Sequence, residues 1–313
     1  MSAPQLTPDL LAEPAQRAAR VLARLRVAAV TEAHARLDAG DPDALHDLRV
    51  ALRRLRSWLR ACRPALDDTV SRRSRRAFGT LARETNAARD AEVSLAWLEA
   101  LRDLPDDAAA AREHLVATLA EERDRTARGA VEAVERRLPR ALRRLTRQLS
   151  HYVVDHTLDT PHDETLMGAF TADLVRRHGR QLADALSRVE SSAGVVAAHQ
   201  ARIAGKRLRY LLEPLDADPR AAGLVARLKG LQDRLGQFHD ARLLGERIQA
   251  MAGLTPGMAE LARRAHRDGT RAFGAFRRGW NAPRTERELA RVEAVAAAIA
   301  AAAGAPRSLL AEP

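Results

Sequence analysis

The sequence predicts an all-α protein, on three observations. Hydrophobic residues make up 46% of the chain but aromatic residues only 3%, and Ala, Leu, Arg and Glu dominate. Ala and straight-chain side chains lose little freedom in a helix, while strands favour the β-branched and aromatic types that are scarce here. Proline and glycine punctuate the chain at intervals of helical length. An eleven-residue segment with helical periodicity also recurs half a chain apart. The expected architecture is two related helical halves, formed by internal duplication and packed about a pseudo-twofold axis.

In order along the chain, the first helix is expected at 12–39, ahead of Gly40 and Pro42. The second spans 43–62 and the third 66–102, on either side of Pro64. Helices at 106–137 and 140–155 are separated at Pro139, because a proline inside a helix removes a donor and crowds the preceding turn. The segment Asp155-His156-Thr157-Leu158-Asp159-Thr160-Pro161-His162-Asp163 breaks the pattern. Helices resume at 164–191, 195–213, 219–250, 256–280 and 284–303. The expected organisation is a single domain over 12–303, made of a first half (12–155) and a second half (164–303). Residues 1–11 are expected to form a flexible N-terminal tail and 304–313 a C-terminal tail.

The repeat carries most of the functional information. His46-Asp47-Leu48-Arg49-Val50-Ala51-Leu52-Arg53-Arg54-Leu55-Arg56 matches His199-Gln200-Ala201-Arg202-Ile203-Ala204-Gly205-Lys206-Arg207-Leu208-Arg209. Both read H-x-x-R-[V/I]-A-x-[R/K]-R-L-R. A fainter match, Arg89-Asp90-Ala91-Glu92-Val93 with His239-Asp240-Ala241-Arg242-Leu243, follows in the same order.

At about 100° per residue, His46, Arg49, Arg53, Arg56 and Arg60 share one narrow helix face. Leu45, Leu48, Leu52, Leu55 and Leu59 form an apolar face beside it, so the helix can anchor in a core and hold cations at its edge. His199, Arg202, Lys206 and Arg209 repeat the stripe. Their neighbouring face of Ala198, Ala201, Gly205, Leu208 and Leu212 allows close approach of another helix. Like charges in line repel by a few tenths of a kcal/mol per pair, about 0.2–0.5. A phosphate polymer relieves that repulsion through charge-assisted hydrogen bonds of about 1.5–3 kcal/mol each. Lys229, on the helix leading to Asp240, is a further candidate for the same surface. Asp90 and Asp240 are expected to orient arginines through salt bridges. Arg54 and Arg207 fall about 80° off the stripe, and periodicity assigns them no role. Arg72, Arg73, Arg75 and Arg76, and Arg140, Arg143, Arg144 and Arg147, have no counterpart at the offset and read as solvated faces.

The net charge of +11 calls for an acidic partner. Only Lys206 and Lys229 are lysines; arginine, with its fork matched to phosphate oxygens, supplies the rest. The single cysteine, Cys62, excludes an intrachain disulfide and a Cys-based zinc site. The sequence shows no Walker-type phosphate loop and no G-x-S-x-G elbow. No stretch approaches the ~20 apolar residues of a membrane span, so a cytoplasmic protein without a membrane partner is expected. His46-Asp47 and His239-Asp240 resemble the His-Asp pairs of metal-dependent phosphohydrolases. Neither pair survives the comparison of halves, and neighbouring helical residues point about 100° apart. The residues alone point to a binder of a phosphate-rich polyanion, with nucleic acid among the candidates and a metal-dependent phosphohydrolase as the rival reading; no cofactor and no catalytic or metal-binding residue is expected.

The paired motif, with Leu231-Gln232-Asp233-Arg234-Leu235-Gly236 leading to His239-Asp240-Ala241, resembles the CHAD domain, the conserved-histidine α-helical domain. The resemblance covers roughly 12–303 and implies two pseudo-symmetric four-helix bundles. It also implies binding of inorganic polyphosphate on a basic central surface or pore that includes His46, Arg49, Arg53, Arg56, His199, Arg202, Lys206 and Arg209. CHAD domains often accompany a triphosphate-tunnel enzyme domain. This chain has no room for one, so the resemblance implies a stand-alone, non-enzymatic binding module. Association with polyphosphate granules or polyphosphate-metabolising enzymes is expected with it. The first half departs from the pattern at Arg89, where the second has His239, and at Thr85-Asn86, where the second has Leu235-Gly236.

Overall fold

The computed structural model describes residues 5–41, 43–150, 165–251 and 253–304. Among these residues the chain is helical and contains no strand. In the first half the helices are α1 (Pro8–Leu11), α2 (Ala15–Asp38), α3 (Ala44–Ala61), α4 (Arg63–Leu66), α5 (Arg72–Glu84), α6 (Asn86–Ala100) and α7 (Asp106–Ser150). The second half contains α8 (Met167–Ser187), α9 (Val195–Leu212), α10 (Pro219–Gln249), α11 (Pro256–Gly279) and α12 (Ala282–Gly304). A 3-10 turn, Glu213–Leu215, links α9 to α10.

Three boundaries differ from the sequence-based expectation. The single helix over 66–102 is divided. Ser71 caps α5 by accepting from the Ser74 amide at 3.2 Å. Buried Thr85 then donates its hydroxyl to the carbonyls of Leu81 and Ala82, an alternative to the helical ladder that marks the step to α6. Conversely, α7 runs unbroken through Pro139. Buried Val134 and Leu138 before the proline, and Ala141 and Leu145 after it, hold both sides to the core. Glu135, whose carbonyl loses its partner, is exposed to water. The third difference is at the start of the chain, which is not a free tail over its described part. Leu6 and Leu11 are buried, and the Leu6 amide donates to the Pro214 carbonyl at 2.7 Å. Residues 1–4, the expected break at 155–163 and residues 305–313 lie outside the described residues.

Packing follows the same pattern in both halves. In the first half α2 packs on α3, α3 on α5, and α7 on α2, α5 and α6. In the second half α8 packs on α9, α9 on α10, α10 on α11 and α12, and α12 on α8. Elements also pack against their counterparts: α2 on α8, α3 on α9, α6 on α10 and α7 on α11. A pseudo-twofold arrangement has this property. At the first of these contacts, Ala15 donates to Thr165 at 3.0 Å and Met167 to Glu13 at 2.8 Å, pinning the starts of α2 and α8 together.

One large core spans both halves, with Trp58, Phe78 and Phe276 among its largest fully buried side chains. The Trp58 indole donates to the Ala19 carbonyl at 3.0 Å. A second, smaller core is built from Leu95 and Leu98 of α6, Leu115 and Leu119 of α7, Leu244 and Ile248 of α10, and Met258 and Leu261 of α11. It therefore draws two helices from each half.

Candidate anion-binding site

The leucine face of α3 does what its periodicity implies. Leu48, Leu52, Leu55 and Leu59 are fully buried, and Arg49, Arg53 and Arg56 sit half-buried at the margin. On α9 the small-residue face is likewise buried. A β-carbon at Gly205 would come within 3.0 Å of Leu231, so α10 approaches here at glycine distance. His199, Arg202, Lys206 and Arg209 line the adjoining margin, half-buried like their α3 counterparts.

Contact between α3 and α9 brings the two stripes onto one surface. The Arg53 guanidinium lies 5.5 Å from the centre of the Tyr210 ring, and that of Arg209 lies 4.8 Å from the same ring. Below them, Glu213 accepts from Arg54 at 3.1 Å and stands 3.3 Å from Arg209.

Cations outnumber their acceptors at this surface. The buried Nε atoms of Arg49, Arg53 and Arg202, and Nδ1 of His199, have no hydrogen-bond partner among the described residues. Arg49 is only 9% exposed, and its nearest carboxylate, Glu92, stands 3.6 Å away. Burial pushes the Lys206 ammonium down from 10.5 to about 8, aided by the positive charges of Arg202, Arg53 and Arg209 against the opposing pull of Asp240. His199 is held below its ordinary value by burial, then by Arg202 and Lys206, and so is neutral at pH 7. Unpartnered buried donors are costly, because each has lost its water without replacement. An anion that accepts from several of them removes that cost.

The fainter repeat closes one end of the site. The His199 and His239 rings stand 5.2 Å apart, tilted by 45°. Burial, then the Asp240 charge, raises the Asp90 carboxyl above the usual range. Neither aspartate forms an ion pair among the described residues, so the expected salt bridges are not made. Instead the two carboxylates interact across the contact between α6 and α10. No group of three or more His, Cys, Asp or Glu among the described residues is arranged to hold a metal ion.

The structure extends the stripe at its far end. The positive charges of Arg60 and Arg83 act on Arg56. Arg60 also acts on Arg207 of α9 and His178 of α8, both of which are held below their ordinary values mainly by burial. Arg207, unassigned by periodicity, thus belongs with the stripe. Two sequence candidates stand apart. His46 is exposed, where its counterpart His199 is half-buried, and it makes no hydrogen bond or ion pair among the described residues. Lys229 is also exposed, and no such contact ties it to the cluster. Periodicity puts it on the Gly236 and Asp240 side of α10, but about three turns before Asp240.

Sequence reasoning missed Tyr210, Arg83, His178 and Glu213 as members of the site. Tyr210 reads as core, and it is buried; only its neighbours reveal that its face carries two cations. Glu213, beyond the repeat, lies one helical turn after Arg209, a spacing at which charged pairs meet.

The family model described as the CHAD domain matches residues 19–249. No curated protein matches. The crystal structure of the CHAD domain from the plant Ricinus communis is 22% identical and superposes with a TM-score of 0.57 over 94% of each chain. PptA from Streptomyces chartreusis is 19% identical, with a TM-score of 0.62 over 88% of this chain and 99% of that one. At these identities the likeness is one of fold.

Proposed function

Since this chain belongs to the CHAD domain family, we propose that it binds inorganic polyphosphate, without hydrolysing it, on the surface shared by α3 and α9. The supporting observation is the set of buried guanidinium and imidazole nitrogens left without acceptors, beside a lysine whose proton is already loosened by its neighbours. Phosphate oxygens spaced along an unbranched chain would accept from Arg49, Arg53, Arg202, Lys206 and Arg209 in turn. His199, neutral, would donate one further bond. Arg56 and Arg60 carry the same stripe outward; the exposed Lys229 would contribute only through long-range charge, and the exposed His46 stands outside the cluster.

Affinity should come mainly from counterion release and fall steeply with salt. Selectivity over DNA would be one of shape, since a bare phosphate chain can lie closer along two packed stripes than a strand that carries bases. Base stacking favours aromatic platforms, and here the one aromatic face at the site already carries two arginines. Polyphosphate granules in the cytoplasm are the location this reading proposes, with the protein alone or beside polyphosphate-metabolising enzymes. No described helix is long and apolar enough to cross a membrane.

The deciding experiment titrates labelled polyphosphate and charge-matched single-stranded DNA side by side at ~50 and ~200 mM salt. Wild type is compared with Arg49→Ala/Arg53→Ala and Arg202→Ala/Lys206→Ala. Preference for polyphosphate, lost in both variants, is expected. Equal binding of both polymers, little altered by either variant, would reduce the protein to a general polyanion binder. Release of phosphate on adding Mn²⁺ or Mg²⁺ would overturn the non-enzymatic reading.

A further inference from the structure

A second basic surface lies on α5 and the C-terminal third of α7. From Arg136 to Ser150, α7 contains six arginines and no acidic residue. Arg136, Arg140, Arg143, Arg144 and Arg147 follow the spacing i, i+4, i+7, i+8, i+11 and share one face, opposite buried Leu138 and Leu145. Arg72, Arg76 and Arg83 do the same on α5, opposite buried Phe78 and Leu81. The helices run antiparallel and side by side: Ser74 donates to Gln148 at 2.6 Å at one end, and Arg137 pairs with Glu84 at the other. Each stripe points away from its helix's core face, so both look outward from the same side of the molecule.

Eight arginines without a paired carboxylate among the described residues fall together on this surface. Several exposed arginines elsewhere do pair with nearby carboxylates, as Arg177 does with Asp173, Arg188 with Asp184 and Arg263 with Glu260. None of the five α7 arginines, nor Arg72, Arg76 or Arg83, makes an ion pair among the described residues. The helix dipoles account for two of them at most, Arg147 in the last turn of α7 and Arg83 in the last turn of α5. The remaining repulsion, between neighbours one turn apart, is offset by no ion pair among the described residues. The surface is also continuous with the first site. α5 packs on α3, and Arg83 lies close enough to Arg56 to act on its charge.

We propose that the α5–α7 ridge is an extension site for long polyphosphate, over which a chain held between α3 and α9 continues past Arg56 and Arg83. This rests on the polyphosphate reading of the first site and adds a dependence on chain length. Tripolyphosphate can occupy the α3–α9 surface alone, whereas a long chain engages both surfaces.

The test uses the full chain and two probes, tripolyphosphate and long-chain polyphosphate, at ~50 mM salt. The variant Arg140→Gln/Arg144→Gln/Arg147→Gln changes only surface side chains, and its melting temperature should match that of wild type. It should keep its tripolyphosphate affinity and lose roughly tenfold or more for the long chain, with a shallower salt dependence. Arg202→Ala/Lys206→Ala should lose both probes. Long-chain affinity within about twofold of wild type in the α7 variant would overturn the extension site while leaving the first site standing. Loss of single-stranded DNA binding in that variant, with long polyphosphate unaffected, would also overturn it and assign the ridge to nucleic acid. Failure of wild type to bind either phosphate probe would instead remove the polyphosphate reading, and this inference with it.

Discussion

Arg53 of the first half rests its guanidinium 5.5 Å from the centre of the Tyr210 ring of the second, on an aromatic that also carries Arg209. The ring holds two like charges from different halves in one place. Cation–π attraction of about 0.5–2 kcal/mol per partner offsets part of their repulsion. Tyr210→Leu keeps the bulk and removes the π face, so polyphosphate affinity should fall about three- to tenfold. Tyr210→Phe keeps the face and should bind like wild type. Titrations of both variants check this, and equal losses would show that the hydroxyl matters instead.

Lys206 makes binding sensitive to pH on the alkaline side. Its ammonium is pushed down to about 8, first by burial and then by Arg202, Arg53 and Arg209. Below that pH it is charged and affinity should be flat. Above it, binding must take up a proton, and affinity should fall by up to about tenfold per pH unit. Lys206→Arg should flatten the profile. The unliganded protein should respond in the opposite sense. The unfolded lysine holds its proton up to 10.5 and the folded one only to about 8, so stability should rise between those values. Isotherms and melting curves over that range test both directions.

Glu213 is the acid that holds the cation cluster together. It is 14% exposed, pairs with Arg54 and Arg209, and is the counter-charge that acts most strongly on buried Arg26. Glu213→Gln should destabilise the fold by about 2–4 kcal/mol, because it strands Arg209 and Arg26, which are largely withdrawn from water. Polyphosphate affinity should be unchanged or higher, since one competing acceptor is gone. Denaturant unfolding with and without tripolyphosphate reads both effects, and tripolyphosphate should recover more stability in the variant than in wild type.

Gly257 tests the packing of the smaller core. A methyl group there would overlap the backbone of Asp107, at the start of α7. Gly257→Ala should cost about 2–3 kcal/mol through the shift it forces. Gly129, inside α7 with open space around it, gives the contrast. Gly129→Ala should stabilise by about 0.5–1 kcal/mol, through helix propensity alone. Thermal unfolding of the pair separates crowding from propensity.

The all-helical class and the cation stripes were legible because both depend on short-range periodicity. Leu48, Leu52, Leu55 and Leu59 declare a buried face, and the arginines beside them inherit a margin. Pro139 misled because its local cost is outweighed by apolar anchors on both sides, which the sequence does not rank against it. Thr85 was missed because its side chain acts on carbonyls of the preceding turn, without a Gly or Pro signal. The site's outer members depend on which helices meet. Arg207 joins Arg60 and His178 only because α3, α8 and α9 converge, and no spacing within one helix records that. His46 and His199, alike in sequence, differ in exposure because only α9 has His239 beside it.

The smaller core of α6, α7, α10 and α11 has a consequence for how the chain folds. Leu98 and Leu115 cannot be fully sheltered until Leu244 and Leu261 arrive, well over a hundred residues later in synthesis. A nascent first half would leave the ribosome with this apolar end uncovered and would have to wait for its complement. Cutting the chain between the halves should therefore give two fragments that are each sticky alone and that recover the native form only when mixed. Such a chain folds through long-range closure, with a slow final step in which the second half seals the first.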